Sequence, residues 1–270
     1  MSSGTATALT RETVALPSGR SQVVLRGGEG PPLVWLHAAD GIADDHPLVT
    51  RLMERHSVVA PLAPGFEDLA ELDEVHDIHE LAIHYEDLLE TLGLERATVV
   101  GHSFGGMIGA ELAAHYPARV AELVLIAPVG LWNEDYPVID FFAVPVPELP
   151  DVLFADPAFK PPPPPAAESE EDIDVEALVT LVQGLTSVAK FMWPIPDRGL
   201  ARRLYRIRAR TLVVFGAEDA LAPARYADDF VAGIADARKV ILPGAGHMVP
   251  IERTDEVLAA IEEFLAPVAA

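Results

Sequence analysis

Short apolar runs that alternate with helical patterns are the feature of this sequence that most restricts its fold. Runs of this kind are typical of strands buried on both faces of a sheet, and they occupy residues 23–25, 33–36, 57–60, 97–100, 123–126, 211–215 and 239–242. Between them the apolar residues recur at helical spacing, most clearly at residues 78–92 before Gly93. This alternation predicts an α/β fold, a mostly parallel sheet covered by helices on both faces.

The alternation stops between residues 131 and 209. This stretch is rich in proline and aromatic residues, and residues 161–165 are five consecutive prolines, typical of a stiff polyproline II segment. An acidic run at residues 168–172 precedes an apolar helical pattern at residues 178–188. Negative charge suits the start of a helix. We therefore predict a core built from residues 1–130 and 210–270, and a helical cap insert at residues 131–209.

Charge and composition exclude several functional classes. The 270 residues include 19 Lys and Arg against 42 Asp and Glu, a formal net charge of −23. Such a balance repels nucleic acids and anionic membrane surfaces, so neither is an expected partner. The absence of cysteine excludes disulfides, thiolate metal sites and cysteine nucleophiles. We see no signal-peptide pattern in residues 1–16 and no apolar run of membrane-spanning length, and therefore expect a cytoplasmic protein.

The strongest chemical signal is Gly101-His102-Ser103-Phe104-Gly105, which follows one apolar run directly and opens a helical pattern. A sharp turn between strand and helix lifts a serine above the sheet edge, and glycines on both sides remove β-carbons that would clash there. A helix N-cap serine is the alternative, but it does not explain the two glycines. We predict that Ser103 is a nucleophile.

A serine hydroxyl needs a base to remove its proton. His247 lies in a glycine-rich loop after the run at residues 239–242, and Asp219 follows the run at residues 211–215. All three residues follow strands at their carboxyl ends, where ligands bind in open α/β sheets. We predict His247 as the base and Asp219 as the acid that orients it. Glu218, Glu134 and Asp135 are alternative acids.

These motifs, together with Leu33-Val34-Trp35-Leu36-His37, resemble the α/β-hydrolase superfamily from about Val14 to Leu265, with the insert matching only as a generic helical cap. The resemblance implies the α/β-hydrolase fold, a nucleophile at Ser103, an acid at Asp219 and a base at His247. It also implies an oxyanion hole made by the backbone N–H groups of Phe104 and Ala39. No cofactor is expected.

One departure from the family pattern concerns the loop after residue 36. The family usually has His-Gly there, whereas this chain has His37-Ala38-Ala39. Alanine at position 38 carries a β-carbon and resists a positive φ. If the oxyanion hole needs that conformation, Ala38 alters its geometry.

Serine at position 103, in the turn between strand and helix, disfavours the activities of the haloalkane dehalogenases and epoxide hydrolases. Those relatives use aspartate at this position. A base and an oxyanion hole favour acyl transfer to water. We therefore expect a carboxylic-ester hydrolase that acts on a small, neutral, largely apolar molecule through an acyl-enzyme on Ser103. The expected substrate-binding residues are aromatic or lie beside the site, namely His37, Trp132, Phe141, Phe142, Phe191, Trp193 and Met248.

Other activities stay open. The first alternative is a carbon–carbon bond hydrolase acting on a vinylogous diketone acid, which needs a cation for the substrate carboxylate, such as Lys190, Arg198 or Arg202. Such relatives commonly have asparagine where this chain has His102. Lactonase and thioesterase activities are also open, as is a binding protein without turnover.

A separate group, His76, Glu80 and His84, has the i, i+4 and i+8 spacing of one helix stripe. Histidines at such spacings do bind zinc. The stripe lies opposite the apolar face among acidic residues, so we interpret it as a solvated surface. No metal is expected.

Overall fold

The computed structural model describes residues 8–162 and 175–267. Eight strands form one sheet in the order β1-β2-β4-β3-β5-β6-β7-β8. β1 and β4 both pair with β2 in antiparallel fashion, and all other pairs are parallel. The strands are β1 (Thr10–Ala15), β2 (Ser21–Gly27), β3 (Pro32–Leu36), β4 (Ser57–Pro61), β5 (Ala97–His102), β6 (Val120–Ile126), β7 (Arg210–Gly216) and β8 (Ala237–Leu242).

Helices cover both faces of this sheet. They are α1 (Pro47–Leu52), α2 (Ile78–Thr91), α3 (Phe104–His115), α4 (Leu149–Leu153), α5 (Val175–Met192), α6 (Tyr226–Gly233), α7 (Val249–Glu252) and α8 (Thr254–Leu265). Successive residues of β3 point to opposite faces. Val34 belongs to the buried cluster that includes residues of α2, α3 and α6, and Trp35 belongs to the cluster that includes residues of α1 and α8. The predicted α/β class is confirmed. Among the described helices, none combines the length and apolar character that crossing a bilayer requires.

Strand β1 has no counterpart among the predicted apolar runs. Its residues are exposed except for half-buried Val14. It is a strand because it pairs along its length with β2, from Thr10 opposite Arg26 to Ala15 opposite Ser21. An edge strand with little buried surface leaves no apolar run in the sequence, and pairing alone defines it.

The segment between β6 and β7 lies outside the sheet. Its described residues include short 3₁₀ turns, α4 and the long helix α5, which contains the apolar pattern predicted at residues 178–188. The acidic run at residues 168–172 and residues 163–165 of the proline run lie outside the described residues. β6 ends at Ile126 and β7 begins at Arg210, close to the predicted limits of the insert at residues 131 and 209.

Helix α3 lies close against the sheet because glycines face β3 and β5. A β-carbon on Gly105 would lie 2.0 Å from the carbonyl oxygen of Leu36, and one on Gly101 would lie 2.3 Å from that of Gly105. Real β-carbons do not approach backbone oxygens this closely. The two glycines therefore set the distance between the start of α3 and the sheet.

Gly105→Ala should destabilise the fold by about 2 kcal/mol or more, because its new methyl group meets backbone rather than a mobile side chain. Gly109→Ala in the same helix is the matched control, since its β-carbon would lie 3.3 Å from a side-chain atom of Val99. Urea unfolding would measure both. Equal stabilities would contradict this account of the close approach.

Candidate active site

Ser103 has a strained backbone. It connects β5 to α3 with φ of 53° and ψ of −113°, and the other non-glycine residue with a positive φ in the described part of the chain is Ala127. Its N–H donates to the carbonyl oxygen of Ile126 at 2.9 Å, and its own carbonyl accepts from the N–H of Met107 at 3.1 Å. Such strain persists where surrounding bonds enforce it. The turn projects the serine side chain at the carboxyl edge of the sheet, as the motif predicted.

The structure brings the three predicted triad residues together. His247 Nε2 lies 2.8 Å from Ser103 Oγ, and His247 Nδ1 lies 2.8 Å from Asp219 Oδ2. The side chains are buried. Since a carboxylate can only accept hydrogen bonds, Nδ1 carries the proton and Nε2 offers its lone pair to the serine hydroxyl. The arrangement can remove the proton of Ser103.

Asp219 is itself held in place. Its Oδ1 accepts from the backbone N–H groups of Leu221 and Ala222, at 2.9 and 2.8 Å. The alternative acids have other surroundings. Glu218 accepts from the N–H of Gly244 at 2.8 Å, and Glu134 and Asp135 are exposed. Of the four acids considered, Asp219 is the one in contact with His247.

His102, between Gly101 and Ser103, contacts the histidine loop. Its Nε2 lies 3.0 Å from the carbonyl oxygen of His247. Burial lowers the pKa of His102 to about 3, so the ring is neutral and donates its Nε2–H to that oxygen. The loop that carries His247 is therefore anchored to the last residue of β5, directly before Ser103.

The residues that carry the predicted oxyanion donors line the same cavity as Ser103. Phe104 is the first residue of α3, where N–H groups have no acceptor within the helix, and Phe104 and Ala39 both line the cavity. In the loop that follows β3 and contains Ala38 and Ala39, the residue with a left-handed backbone is Gly41, with φ of 75°, and not Ala38. The β-carbon of Ala38 therefore does not conflict with the backbone of this loop, because Ala38 does not have a positive φ. The roles of Phe104 and Ala39 stay predictions.

His37 supports this loop from behind and lies outside the cavity, contrary to its predicted contact with substrate. Its Nε2 accepts from the N–H of Ala63 at 2.8 Å, so Nδ1 carries the proton and donates to the carbonyl oxygen of Ala38 at 2.7 Å. Burial lowers the pKa of His37 to about 4. The neutral ring holds the backbone next to Ala39 in place.

Ser103 and His247 open onto a cavity of about 260 Å³ between the sheet edge and the insert. Its walls are mostly apolar and include three residues predicted to bind substrate, Phe141, Phe142 and Met248. Helix α5 adds Leu181, Leu185, Val188 and Met192, which the sequence analysis did not assign to the site. Their spacing is helical, but the sequence does not show which structure an apolar stripe faces.

Three aromatic residues of the insert lie outside this cavity, contrary to their predicted role. Trp132 and Trp193 are 36% and 56% exposed. Phe191 is buried, but its ring stacks on Phe104 with the centroids 5.9 Å apart. Phe191 precedes Met192 by one residue, and one residue turns a helix position by about 100°. It therefore faces the core while Met192 faces the cavity.

The charges around the cavity are acidic. All 19 Lys and Arg residues fall within the described ranges, and none of them lines the cavity, whereas Asp40 and Asp140 do. Of the predicted cations for a substrate carboxylate, Lys190 donates to the carbonyl oxygen of Leu72 and Arg198 to that of Phe191. Arg202 is exposed and lies outside the cavity. Surrounding protein raises the pKa of Asp40 to about 6 by desolvating its charge.

The predicted stripe of His76, Glu80 and His84 is not on one helix, because His76 precedes the first residue of α2. His84 is buried with Nε2 next to Gln22 Oε1, so its predicted solvated position is wrong. Glu80 accepts from the backbone N–H of His76 at 2.8 Å. Among residues 8–162 and 175–267, no group of three or more His, Asp or Glu side chains is arranged to hold a metal ion.

Known proteins resemble this chain over most of its length. A sequence model of the alpha/beta hydrolase family matches residues 23–260. The 2-hydroxy-6-oxo-6-phenylhexa-2,4-dienoate hydrolase of Comamonas testosteroni is 26% identical, with 88% of each chain covered. The dihydrolipoyllysine-residue acetyltransferase component of the acetoin cleaving system of Pseudomonas putida is 31% identical, with 88% of this chain and 65% of that protein covered.

A solved structure shows the same fold. It is the 2-hydroxy-6-oxo-6-phenylhexa-2,4-dienoate hydrolase of Rhodococcus sp. strain RHA1, with a TM-score of 0.75 and 21% sequence identity. The match covers 96% of this chain and 100% of that one.

Asp219→Asn should slow the reaction of Ser103 with a fluorophosphonate about 10³- to 10⁴-fold while the protein stays folded. The amide oxygen can still accept from Leu221 and Ala222, but its NH₂ group then faces His247 Nδ1. The ring must move its proton to Nε2 and can no longer accept the proton of Ser103.

Glu218→Gln is the matched control and should react within about twofold of the wild-type rate, because Glu218 is exposed. Mass spectrometry of the labelled protein over time gives both rates. A slow Glu218→Gln and a fast Asp219→Asn would reassign the acid.

Proposed function

The chain belongs to the alpha/beta hydrolase family, and we propose that it is a serine hydrolase that cleaves a carboxylic ester of a small, neutral, largely apolar molecule. The observation that carries this proposal is the hydrogen-bonded chain from Asp219 through His247 to Ser103 Oγ. It opens onto an apolar cavity large enough for a small acyl group.

In this proposal the reaction has two halves. Ser103 Oγ attacks the ester carbonyl while His247 Nε2 takes its proton, and the resulting oxyanion accepts hydrogen bonds from the N–H groups of Phe104 and Ala39. His247 then gives the proton to the departing alcohol, which leaves an acyl-enzyme on Ser103. Water attacks the acyl carbon as His247 takes one of its protons, and the acid departs as Ser103 regains its hydrogen.

The polarity of the cavity supports a neutral substrate. Asp40 lies next to Ala39 and faces the same space as Ser103. A substrate carboxylate placed there would meet the charge of Asp40 and no cation from the cavity wall. A neutral ester avoids this repulsion.

Carbon–carbon bond hydrolysis of a vinylogous diketone acid is the second candidate, and the names of several relatives favour it. The acidic cavity opposes it, because the substrate of that reaction is a carboxylate.

Lactonase and thioesterase activities use the same acyl-enzyme and differ in the leaving group. A binding protein without turnover is less favoured, since the bond from His247 to Ser103 has no use in it.

The proposed reaction needs water and the protein's own side chains, so we propose a small-molecule substrate and no cofactor. Nucleic acid and membrane surfaces are not proposed as partners because of the net charge of −23. The cytoplasm stays the predicted location.

Ser103→Ala should lower the release of p-nitrophenol from p-nitrophenyl butyrate at least about 10³-fold, because no acyl-enzyme can form. Ser18→Ala, at an exposed serine between β1 and β2, is the control and should keep wild-type turnover. The wild-type protein should also cleave the butyrate ester with a higher kcat/KM than a 2-hydroxy-6-oxo-dienoate. The reverse preference would favour the carbon–carbon reaction, and unchanged turnover in Ser103→Ala would reject the nucleophile.

Asp40→Asn should improve the use of an anionic substrate. The test compares two p-nitrophenyl esters of similar size, one neutral and one with a sulfonate on the acyl chain. At pH 8 the ratio of kcat/KM for the anionic ester to that for the neutral ester should be about tenfold higher in the variant than in wild type. Two like charges about 10 Å apart repel by roughly 1.5 kcal/mol at an effective dielectric constant of about 20.

The pH dependence of this ratio follows from the pKa of Asp40, which is raised to about 6. Asp40 is neutral well below this pH and charged above it, so the wild-type ratio should fall from pH 5 to pH 8. The ratio in Asp40→Asn should stay flat, and changes in His247 cancel because both esters need it. Asp44→Asn, an exposed neighbour outside the cavity, should behave as wild type. A flat wild-type ratio would remove Asp40 from substrate selection.

A further inference from the structure

Glu252 is a buried carboxylate that the reaction above does not use. It lies at the end of α7, five positions after His247, and is 3% exposed. A buried carboxylate is costly unless its oxygens are fully hydrogen-bonded. The hydrogen-bond donors around Glu252 therefore explain how a carboxylate is accommodated at this buried position.

Three backbone N–H groups donate to this carboxylate. Oε2 accepts from Gly246 at 2.7 Å, and Oε1 accepts from Ala155 and Asp156 at 2.8 Å each. The neighbouring Arg253 donates to the main-chain oxygen of Glu252 and not to its carboxylate. Hydrogen bonds to an ionised acceptor are about twice as strong as neutral ones. The carboxylate of Glu252 thus holds the backbone at Gly246, Ala155 and Asp156 in place.

The donors come from two separate parts of the chain. Gly246 directly precedes His247, whereas Ala155 and Asp156 follow α4 in the insert. The two parts touch: the N–H of Met248 donates to the carbonyl oxygen of Leu153 at 3.0 Å, and a β-carbon on Gly246 would lie 2.8 Å from that oxygen. Glu252 joins the histidine loop to the insert.

Both parts reach the site. On one side, the loop around His247 is fixed at Gly246 by Glu252 and at the carbonyl of residue 247 by His102. On the other side, Leu149, Leu153 and Phe154 of the insert line the cavity. A change in the position of this wall is therefore linked to the backbone that carries the base, through the carboxylate of Glu252 and through the bond from Met248 to Leu153.

We propose that Glu252 is a positioning residue for His247, which holds the ring in reach of Ser103 and couples it to the cavity wall formed by the insert. This inference rests on the proposed hydrolase function. Catalytic rates are sensitive to the placement of the base, because a displacement of about 1 Å costs on the order of 10²-fold. A residue that only stabilises the fold would not change the rate per folded molecule.

Glu252→Gln tests the proposal. The amide keeps the shape of the side chain but turns one acceptor oxygen into an NH₂ group that faces a backbone N–H. Glu256→Gln, the same change at an exposed position of α8, is the matched control. Circular dichroism at a temperature below the melting transition of every variant gives the folded fraction.

The measurements are kcat and KM for p-nitrophenyl butyrate and the labelling rate with a small fluorophosphonate, all per folded molecule. In Glu252→Gln we expect kcat and the labelling rate to fall at least about tenfold, with KM within about threefold of wild type. Glu256→Gln should match wild type. A lower melting temperature with kcat and labelling within twofold of wild type would overturn the proposal.

If Glu252→Gln does not accumulate as folded protein, Glu252→Asp decides the question by the same measurements. It keeps the charge, but it is one methylene too short to hold Gly246 and the insert together, so kcat should fall several-fold. Wild-type kcat in folded Glu252→Asp would overturn the proposal. If wild-type protein neither hydrolyses the ester nor labels at Ser103, the proposed function fails. Activity in wild type with no loss in the Glu252 variants defeats this inference alone.

Discussion

The strained turn at Ser103 is the constraint on which the rest of the site depends. A left-handed φ is costly for serine, and it is maintained because β5 and α3 are both held firmly in the core. Gly101 and Gly105 let the helix approach the sheet closely, so the turn has no room to relax. The serine hydroxyl is thereby directed at His247, and Phe104, the first residue of α3, lines the same cavity.

The other half of the site is built from loops, and each of its loops is tied down by a buried polar side chain. His37 holds the loop of Ala38 and Ala39, His102 and Glu252 hold the loop of His247, and backbone N–H groups hold Asp219. Each of these bonds satisfies a polar group that burial would otherwise make costly. The loops at the sheet edge are thus positioned by the same interactions that allow polar groups inside the protein.

The cavity combines apolar walls with acidic charge. Its apolar residues come from the core and from the insert, and Asp40 and Asp140 are the acidic residues of the described chain that line it. Several relatives are named for substrates that are themselves acids. At identities below a third, the shared fold leaves room for a different cavity, because walls made by an insert change without disturbing the sheet.

Much of the fold was predictable because the strands of a parallel sheet are buried on both faces and leave continuous apolar runs. Strand β1 was missed because an exposed edge strand leaves no such run. The site was predictable where a local turn defines it, as at Ser103, or where a residue follows a recognisable strand, as at Asp219 and His247. Phe191 was misplaced because aromatic character shows that a side chain tends to be buried, not which surface it meets. Trp132 and Trp193 were misplaced because the sequence does not show which aromatic residues of the insert stay exposed.

The sequence by itself determined the class of fold, the turn at Ser103 and a short set of candidate partners, since these follow from periodicity, glycine spacing and the order of residues after strands. The contact between His247 and Asp219 in the folded protein then selected the acid among four candidates. Only the tertiary structure decided the shape and charge of the cavity. Asp40 and Leu185 are far apart in the chain and are brought to one space by the way the insert packs on the sheet edge. Glu252 likewise acquires its partners in the folded protein, because the N–H groups that surround it come from segments nearly a hundred residues apart.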